Sequence, residues 1–395
     1  MRYKLAVNTF GPEERQAMLS VIDDERYTIG KYVKQFEEEF AKKFKTKFSV
    51  MVNSGSSANL IAVAALFYCK KNALRPGDEV IVPAISWATT YYPLHQYGLR
   101  LKFIDVDLTS LNMDPNLLEA ALTPKTKMVV AVNILGNPCE LVRIKAFCEK
   151  HHLILFEDNC ESMGAQLEGQ YCGTFGQIGT FSTFFSHQLS TMEGGLIVTD
   201  NEELYELSLS LRSHGWTRAV PNHAEIFQRK DDDFFEAYRF IFPGYNVRPI
   251  EMTGAIGIEQ LKKFDHMIEQ RQKNAKLFVD LFANDERFII QHENGISSWF
   301  CFTIVLNPKF GVDRSQVLEE LKLAEIEHRI ITGGNFLRHD VIKHINYEVF
   351  GDIRNANIIH DQGFFVGNHP YDLSDEINYF HSVINKAFKK QTAFI

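Results

Sequence analysis

The chain has 395 residues, of which 45% are hydrophobic and 23% are charged, and its net charge is −8. This length exceeds the roughly 250–300 residues at which single cores stop growing, so we expect two domains. The acidic balance, without a basic stripe, argues against a nucleic-acid-binding protein. The N-terminus lacks the apolar core of a signal peptide, and no stretch approaches the roughly 18 apolar residues of a membrane span. We therefore expect a cytoplasmic protein that does not bind membranes.

The six cysteines form no CxxC pair, and the two closest, Cys139 and Cys148, are nine residues apart. This spacing does not support a zinc or iron–sulfur site. We interpret the cysteines as reduced thiols that serve mainly as small apolar side chains, and we expect no metal.

Short apolar runs alternate with helix-length amphipathic segments through the first half of the chain. Runs such as KFSVMV, DEVIVPA and LILFED are typical of strands, and several are apolar on both faces. Segments such as SANLIAVAALFYCKK and NEELYELSLSLRSHG are typical of the helices between them. The pattern predicts an α/β fold with a mostly parallel sheet that helices cover on each side.

The later part of the chain predicts a smaller second domain. A long helical stretch begins at RPIEMTGAIGIEQLKK, and beyond it SSWFCFTIVL is typical of a strand and SQVLEELKLAEI of a helix. We therefore predict a large domain at residues 1–250, which includes an N-terminal helical segment, a linking helix at 251–285, and a small α+β domain at 286–395.

The turn NSGSSAN joins a predicted strand to an alanine-rich helix. Backbone N–H groups at a helix N-terminus bind anions, and the hydroxyls of Ser56 and Ser57 can add donors. An ordinary helix cap without a ligand explains the same residues. On this motif alone, both interpretations stay open.

Two further motifs place polar or aromatic side chains directly after strands, where ligands usually bind in α/β sheets. In PAISWATTYY, Trp87 can stack on a flat ring or pack in the core. In LILFEDNCESMGA, Asp158 ends a strand and Glu161 follows. Asp158 can accept a hydrogen bond from a protonated ring nitrogen, cap the local backbone, or contribute to a metal site.

The stretch STFFSHQLSTMEGG contains Ser182 and His187. Taken alone, His187 is compatible with a base, a metal ligand or a packed core side chain. The order and spacing of all four motifs are more informative than any one of them. Strand–SGSSAN–helix, an aromatic residue after the next strand, EDNxE, and SxxFSH near MEGG together resemble the sugar aminotransferase branch of the fold type I pyridoxal phosphate (PLP) enzymes.

This resemblance implies the fold of aspartate aminotransferase, with the large mixed sheet in the first domain. It also implies that Ser56, Ser57 and Ser182 hold the cofactor phosphate. Trp87 stacks on the pyridine ring, and Asp158 pairs with the ring nitrogen. In addition, Glu161 matches the residue that hydrogen-bonds the phenolic oxygen of the cofactor.

At the position of His187, the family normally has the lysine that binds the cofactor covalently. Histidine there is the mark of the nucleotide-sugar 3-dehydratases. Segments such as YTIGKYVKQFEEEF, SHGWTR and PGYNVRPIEMTGAIG make the chain similar to the dehydratases that act on GDP-4-keto-6-deoxymannose. The resemblance implies non-covalent PLP and pyridoxamine phosphate (PMP), glutamate as the co-substrate that regenerates PMP, and release of ammonia.

In this interpretation His187 is the catalytic base, because a neutral imidazole with an ordinary pKa near ~6.5 can take a proton and return it to the departing C3 hydroxyl. Asn246 matches an asparagine that reaches the cofactor phosphate of a second subunit, which implies a homodimer with shared active sites. Arginine and histidine side chains suit the carboxylates of glutamate or the sugar diphosphate, although surface ion pairs are an alternative for each. The candidates are His214, Arg218, Arg248 and Arg329.

The leading hypothesis is a lyase that removes the C3 hydroxyl of GDP-4-keto-6-deoxy-D-mannose in colitose-type deoxysugar biosynthesis. A dehydratase for CDP-4-keto-6-deoxyglucose is the second hypothesis. That group carries a [2Fe–2S] cluster held by clustered cysteines, which this sequence lacks, so we expect no iron–sulfur cluster. Two further hypotheses are a nucleotide-sugar aminotransferase and a non-catalytic PLP-binding protein.

Overall fold

The computed structural model describes residues 2–392, so the predicted domain limits at residues 1 and 395 lie outside the described residues. The helices of this part of the chain are α1 (Pro12–Asp23), α2 (Lys31–Phe44), α3 (Gly55–Tyr68), α4 (Ala88–Gln96), α5 (Leu118–Ala121), α6 (Leu141–Lys150), α7 (Glu202–Leu211), α8 (Asp233–Glu236), α9 (Glu251–Phe282), α10 (Arg314–Leu323), α11 (Arg354–Gln362) and α12 (Ser374–Thr392). None of them is long and apolar enough to cross a membrane.

The strands alternate with these helices in the first half of the chain, as the apolar runs predicted. They are β1 (Phe48–Val52), β2 (Glu79–Pro83), β3 (Arg100–Ile104), β4 (Thr126–Val132), β5 (Ile154–Asp158), β6 (Gln166–Leu167), β7 (Gln170–Tyr171), β8 (Ile178–Ser182), β9 (Gly195–Thr199), β10 (Phe288–Ile289), β11 (Cys301–Leu306), β12 (His328–Arg329), β13 (Tyr347–Val349) and β14 (Gly363–Gly367).

The large sheet has eight strands in the order β1-β9-β8-β5-β4-β2-β3-β13. β9 runs antiparallel to both β1 and β8, and the other neighbours are parallel. In the register of the sheet, Asp158 of β5 lies beside Thr180 of β8, and Ser182 lies beside Gly195. Because parallel strands end at one edge, the side chains that follow β2, β5 and β8 meet there. The predicted α/β fold with a mostly parallel mixed sheet is confirmed.

A smaller antiparallel sheet has the order β10-β11-β14-β12. Its core is aromatic, and the ring of Phe302 on β11 stacks on that of Phe278 on α9, with centroids 4.6 Å apart. The same helix also packs on α2, where Gly254 and Gly257 permit close approach. A Cβ at Gly254 would lie 2.6 Å from the amide nitrogen of Val33. Helix α9 therefore contributes side chains to the cores on both sides of the molecule.

One element departs from the sequence analysis. The short strand β13, from the C-terminal part of the chain, pairs in parallel with β3 and extends the large sheet. Ile331, Phe336 and Ile359 from the same region are buried in the core of that sheet. The division at residues 250 and 286 stays a prediction, because the C-terminal segment contributes to both sheets.

Candidate active site

The turn between β1 and α3 leaves backbone donors free. Ser54 caps the helix, with its Oγ accepting from the amide of Ser57 at 3.1 Å and its carbonyl accepting from the amide of Ala58 at 3.0 Å. In residues 2–392, the amides of Gly55 and Ser56 have no recorded acceptor. Two N–H groups at the positive end of a 14-residue helix are thus available to an anion.

Glycines allow three segments to converge at this helix end. A Cβ at Gly55 would lie 2.7 Å from the Cβ of Ser182 and 3.0 Å from the Sγ of Cys160. A Cβ at Gly195 would lie 2.4 Å from the carbonyl oxygen of Ser54. Glycine at both positions therefore brings Ser182, at the end of β8, against the start of α3, as expected for two parts of one anion site.

The hydroxyls of the two predicted phosphate-binding serines already have protein partners. Ser56 Oγ donates to Thr89 Oγ1 at 2.9 Å, and Ser57 Oγ donates to Asn53 Oδ1 at 2.6 Å. Each hydroxyl oxygen retains acceptor capacity, and each can rotate its proton toward an anion. The structure places both serines on the first turn of α3, beside the free amides.

Asp158 is the most completely supported side chain of the site and is only 5% exposed. Its Oδ2 accepts from Asn59 Nδ2 at 2.8 Å and from Thr90 Oγ1 at 2.7 Å, and its Oδ1 accepts from the amide of Cys160 at 3.1 Å. Asn59 is itself fixed because its Oδ1 accepts from Thr180 Oγ1 at 2.6 Å. A carboxylate oriented by several donors is suited to accept one more hydrogen bond from a protonated ring nitrogen.

Trp87 lies at the same sheet edge, directly before α4. Its side chain is 57% exposed, so it is not packed in the core. The neighbouring Ser86 and Thr90 share a buried hydrogen bond of 2.7 Å, and Thr90 also donates to Asp158. An exposed indole thus stands close in the chain to the group that orients Asp158, where it can cover a flat ring.

The loop that carries His187 is closed at its base. The hydroxyls of Thr183 and Thr191 are 2.6 Å apart, and the amide of Thr183 donates to Gly194 O at 2.9 Å. A Cβ at Gly194 would lie 2.4 Å from both threonine hydroxyls, so only glycine permits this closure. Residues 184–190 are therefore held as a defined loop between β8 and β9.

Within this loop the imidazole of His187 contacts aromatic ring faces and edges instead of polar groups. Its ring lies 5.8 Å from that of Phe184 and 5.2 Å from that of Phe300, both in T-shaped geometry. Its Nδ1 is buried and has no hydrogen-bond partner among the described residues. Burial, with a further contribution from the charge of Arg271, lowers the pKa of His187 to about 3. The imidazole is neutral and retains a nitrogen for a proton.

Glu161 lies between Asp158 and the His187 loop. Its Oε2 accepts from the amide of Leu135 at 3.1 Å, and its carbonyl accepts from Gln188 Nε2 at 2.7 Å. Burial, reinforced by the charge of Asp158, raises the pKa of Glu161 to about 8. A carboxyl group that is protonated near neutral pH can donate a hydrogen bond to a ligand oxygen.

Three of the four predicted substrate-binding residues lie around Trp216. The ring of His214 lies 4.8 Å from the indole, and the guanidinium carbons of Arg218 and Arg248 each lie 5.7 Å from it. Arg248 Nε also donates to Asn246 Oδ1 at 3.0 Å. We call these five residues the Trp216 cluster, and two guanidinium groups beside an aromatic ring make it suited to a phosphorylated ligand.

A tight turn explains how residues near 214 and 246 meet. His214 has φ 62° and Gly215 has φ 78°, and a Cβ at Gly215 would lie 1.7 Å from Phe242 O. Asn246 forms a β-bridge with Ser213. The amide of Asn53, at the start of the turn before α3, donates to Val247 O at 3.0 Å. The Trp216 cluster is thereby joined to the anion site.

Arg329, the fourth predicted substrate-binding residue, lies neither in the Trp216 cluster nor at the anion site before α3. It lies on β12 of the small sheet, is exposed, and has no recorded side-chain hydrogen bond or ion pair within the described chain. The following residues approach the site, because Asn335 forms a β-bridge with Ile85 beside Trp87.

Sequence reasoning missed several supporting residues. Asn59 carried a detectable signal, since it is a buried polar side chain in an otherwise apolar helix. Thr90, Thr180, Gln188 and Phe300 carried no signal, because their roles depend on contacts between distant segments. Among the described residues, no group of three or more His, Cys, Asp or Glu side chains is placed to hold a metal.

The fold and the site define a PLP-dependent enzyme of the aminotransferase type. The sequence profile of the DegT/DnrJ/EryC1/StrS aminotransferase family matches residues 8–384, and the chain belongs to this family. It is 50% identical over 386 residues to the GDP-4-keto-6-deoxy-D-mannose 3-dehydratase of Escherichia coli O55:H7, an alignment that covers 97% of this chain and 100% of that protein.

Two solved structures of GDP-4-keto-6-deoxymannose-3-dehydratase superpose on this chain with a TM-score of 0.95 at 50% identity. Each comparison covers 97% of this chain and 100% of the other. One is a histidine-to-asparagine variant with bound GDP-perosamine. The other contains a trapped PLP–glutamate geminal diamine. The predicted fold type I architecture is therefore confirmed.

Proposed function

We propose that the protein is a PLP-dependent nucleotide-sugar 3-dehydratase that removes the C3 hydroxyl of GDP-4-keto-6-deoxy-D-mannose. The observation that carries the proposal is His187, a neutral imidazole at the position where the family normally has the cofactor-binding lysine. The 50% identity to a dehydratase with this substrate supports the choice of sugar nucleotide.

The residues present fit a flat, phosphorylated pyridine. The free amides at the start of α3, with Ser56, Ser57 and Ser182, would hold its phosphate. Asp158 would pair with its ring nitrogen, and the exposed face of Trp87 would cover the ring. When bound, the cofactor supplies an amino group that condenses with the sugar C4 ketone and a ring that withdraws electrons.

His187 acts as the base and then as the acid. With the cofactor bound, the neutral imidazole would accept a proton from the C4′ carbon of the cofactor and return it to the C3 hydroxyl, which would depart as water. Because an imidazole does not hold the cofactor covalently, binding rests on the phosphate, ring and aspartate contacts. The protonated carboxyl of Glu161 would donate to the phenolic oxygen of the bound cofactor. L-Glutamate serves as the amino donor of the second half-reaction, and ammonia is released.

The Trp216 cluster binds the anionic part of the nucleotide sugar, or the carboxylates of glutamate, through Arg218, Arg248 and His214. Arg329 is a further candidate for either anion. Asn246 is exposed, and its Oδ1 is already bonded to Arg248, which leaves its Nδ2 to reach the cofactor phosphate of a second subunit. The enzyme is thus a homodimer with shared active sites. Since nucleotide sugars and free glutamate are cytoplasmic metabolites, we place the reaction in the cytoplasm.

The test is a mass spectrum of the nucleotide sugar after incubation with PLP, glutamate and GDP-4-keto-6-deoxymannose, with ammonia assayed alongside. A product one oxygen lighter, formed with ammonia and only when glutamate is present, is expected. A stable 4-amino sugar would instead show an aminotransferase. Turnover of a CDP-linked sugar alone would overturn the proposed substrate.

The His187→Asn variant identifies the base in the same assay. We expect PLP to bind, because its proposed contacts are intact, and dehydration to fall by at least about 100-fold through loss of acid–base catalysis. The matched control is His152→Asn, at an exposed histidine with φ 54° that asparagine tolerates. Equal turnover in the two variants would remove His187 from the mechanism.

A further inference from the structure

Arg271, on α9, is a buried arginine without an acidic partner. It is 3% exposed, and in residues 2–392 no carboxylate forms an ion pair with it. Its Nη1 donates to the carbonyls of Phe300 at 3.1 Å and Asn368 at 2.7 Å, while its Nε has no hydrogen-bond partner in that part of the chain. Burying an unpaired charge is costly, so its retention calls for a reason beyond packing.

The surrounding side chains hold this guanidinium in one place. Asn368 Nδ2 donates to the carbonyls of Arg271 at 3.1 Å and Trp299 at 2.9 Å, and Asn274 Nδ2 donates to Asn368 Oδ1 at 3.2 Å. Trp299 has φ 45°, a conformation that a bulky residue rarely adopts. These contacts together present the backbone of residues 299–300 to Arg271.

Phe300 connects Arg271 to the active site. Its carbonyl accepts from Arg271, and its ring is in T-shaped contact with the imidazole of His187 at 5.2 Å. Among the described residues, none forms a hydrogen bond with His187 Nδ1. The positive charge therefore acts on His187 across an apolar ring, where screening by water is weak.

The other titratable groups on the surrounding elements do not neutralise this charge. Burial raises the pKa of Glu161 to about 8 and raises that of the Cys301 thiol, so both are neutral near pH 7. Burial and the charge of Arg271 lower the pKa of His369 to about 4, so it is neutral as well. Asp158 already accepts hydrogen bonds from Asn59, Thr90 and the amide of Cys160.

We propose that Arg271 is a positioning residue, whose bond to Phe300 orients His187 and whose unpaired charge adds to burial in disfavouring protonation of that imidazole. The inference rests on the proposed role of His187 as the base. A neutral imidazole is ready to accept a proton in the first step. The same charge makes the imidazolium a stronger acid, which favours return of the proton to the departing hydroxyl.

The test compares Arg271→Met, which removes the charge, with Arg271→Lys, which keeps it. The protonation of His187 is followed by NMR with labelled histidine between pH 4.5 and 8, without cofactor, and its signal is assigned by its loss in His187→Asn. In the wild type and Arg271→Lys, we expect His187 to stay neutral throughout. In Arg271→Met, the midpoint should rise by about one to two pH units, so that protonation of His187 becomes visible at the acid end of this range.

Arg287→Met is the matched control, because Arg287 is a partly buried arginine that forms an ion pair with Asp285. This substitution should leave the titration of His187 unchanged. A His187 that stays neutral in a folded Arg271→Met protein would overturn the proposal. So would Arg271→Lys titrating like Arg271→Met. The titration needs no substrate, so failure of the wild type to act on the GDP-sugar would disprove the proposed function without affecting this result.

Discussion

The environment of Asp158 and the Trp216 cluster differ in how far the chain itself satisfies their polar groups. Asp158 accepts three hydrogen bonds and is almost wholly buried. Arg218 is exposed, its guanidinium carbon lies 5.7 Å from the ring of Trp216, and it has no hydrogen bond or ion pair in the described part of the chain. The hydrogen bonds that orient Asp158 are formed before any ligand binds, whereas the Trp216 cluster retains donors for a ligand.

This difference separates chemistry from binding. Groups that are fixed in advance stabilise charge without reorganisation during the reaction, so their loss reduces kcat. Exposed cations that pair with a ligand stabilise the bound substrate and the transition state alike, so their loss raises KM. Substitutions in the two regions should therefore have different kinetic signatures as well as different magnitudes.

The largest effect should follow Asp158→Asn. The amide oxygen can still accept from Asn59 and Thr90, whereas the amide nitrogen cannot accept from the Cys160 amide, and the negative charge opposite the ring nitrogen is lost. We expect kcat to fall by at least about 100-fold while PLP still binds. Steady-state kinetics at saturating substrate provide the measurement, with PLP absorbance as the check on binding. A decrease of less than a few-fold would exclude Asp158 as the partner of the ring nitrogen.

The frame of the large sheet was predictable from sequence because each strand is a short apolar run and each crossover helix has its own periodicity. The turn before α3, Asp158 and His187 were also visible, since each directly follows a strand or lies in a glycine-bounded segment. These signals are local. The orientation of each side chain, however, depends on partners far away in the chain, such as Asn59 for Asp158.

Two kinds of feature could not be predicted from the sequence. Strand β13 is only three residues long and is fixed by pairing with β3, so it has no periodicity of its own. The contact between Arg271 and Phe300 joins a long helix to a strand entry 29 residues later. In the sequence, Arg271 looks like one more cation on an amphipathic helix, and only burial reveals that it is unpaired.

The next largest effect should come from Gly55→Ala, which tests whether the anion site is as preformed as Asp158. The added Cβ would lie 2.7 Å from that of Ser182, so the helix end or the serine must shift. We expect PLP affinity to fall about tenfold, which corresponds to about 1.4 kcal/mol. Titration of the cofactor-free protein by PLP absorbance measures this change.

Gly11→Ala is the matched control, since Gly11 also lies at the start of a helix, and a Cβ there meets only the flexible ends of the Glu13, Glu14 and Lys263 side chains. It should bind PLP like the wild type. If Gly55→Ala also binds PLP like the wild type, the start of α3 adapts to its ligand. The anion site would then not be preformed, and its contrast with the open Trp216 cluster would be wrong.

The smallest effect should follow Arg218→Ala, in the open region. Because the guanidinium is exposed and screened by water, we expect KM for the GDP-sugar to rise only about fivefold, with kcat nearly unchanged. The difference from wild type should shrink as salt is added, since added ions screen an exposed charge. Arg143→Ala, which removes an exposed arginine paired with Glu140 on α6, is the control and should change neither constant. A fall in kcat with unchanged KM would mean that Arg218 acts in the transition state, and that the Trp216 cluster is part of the chemistry.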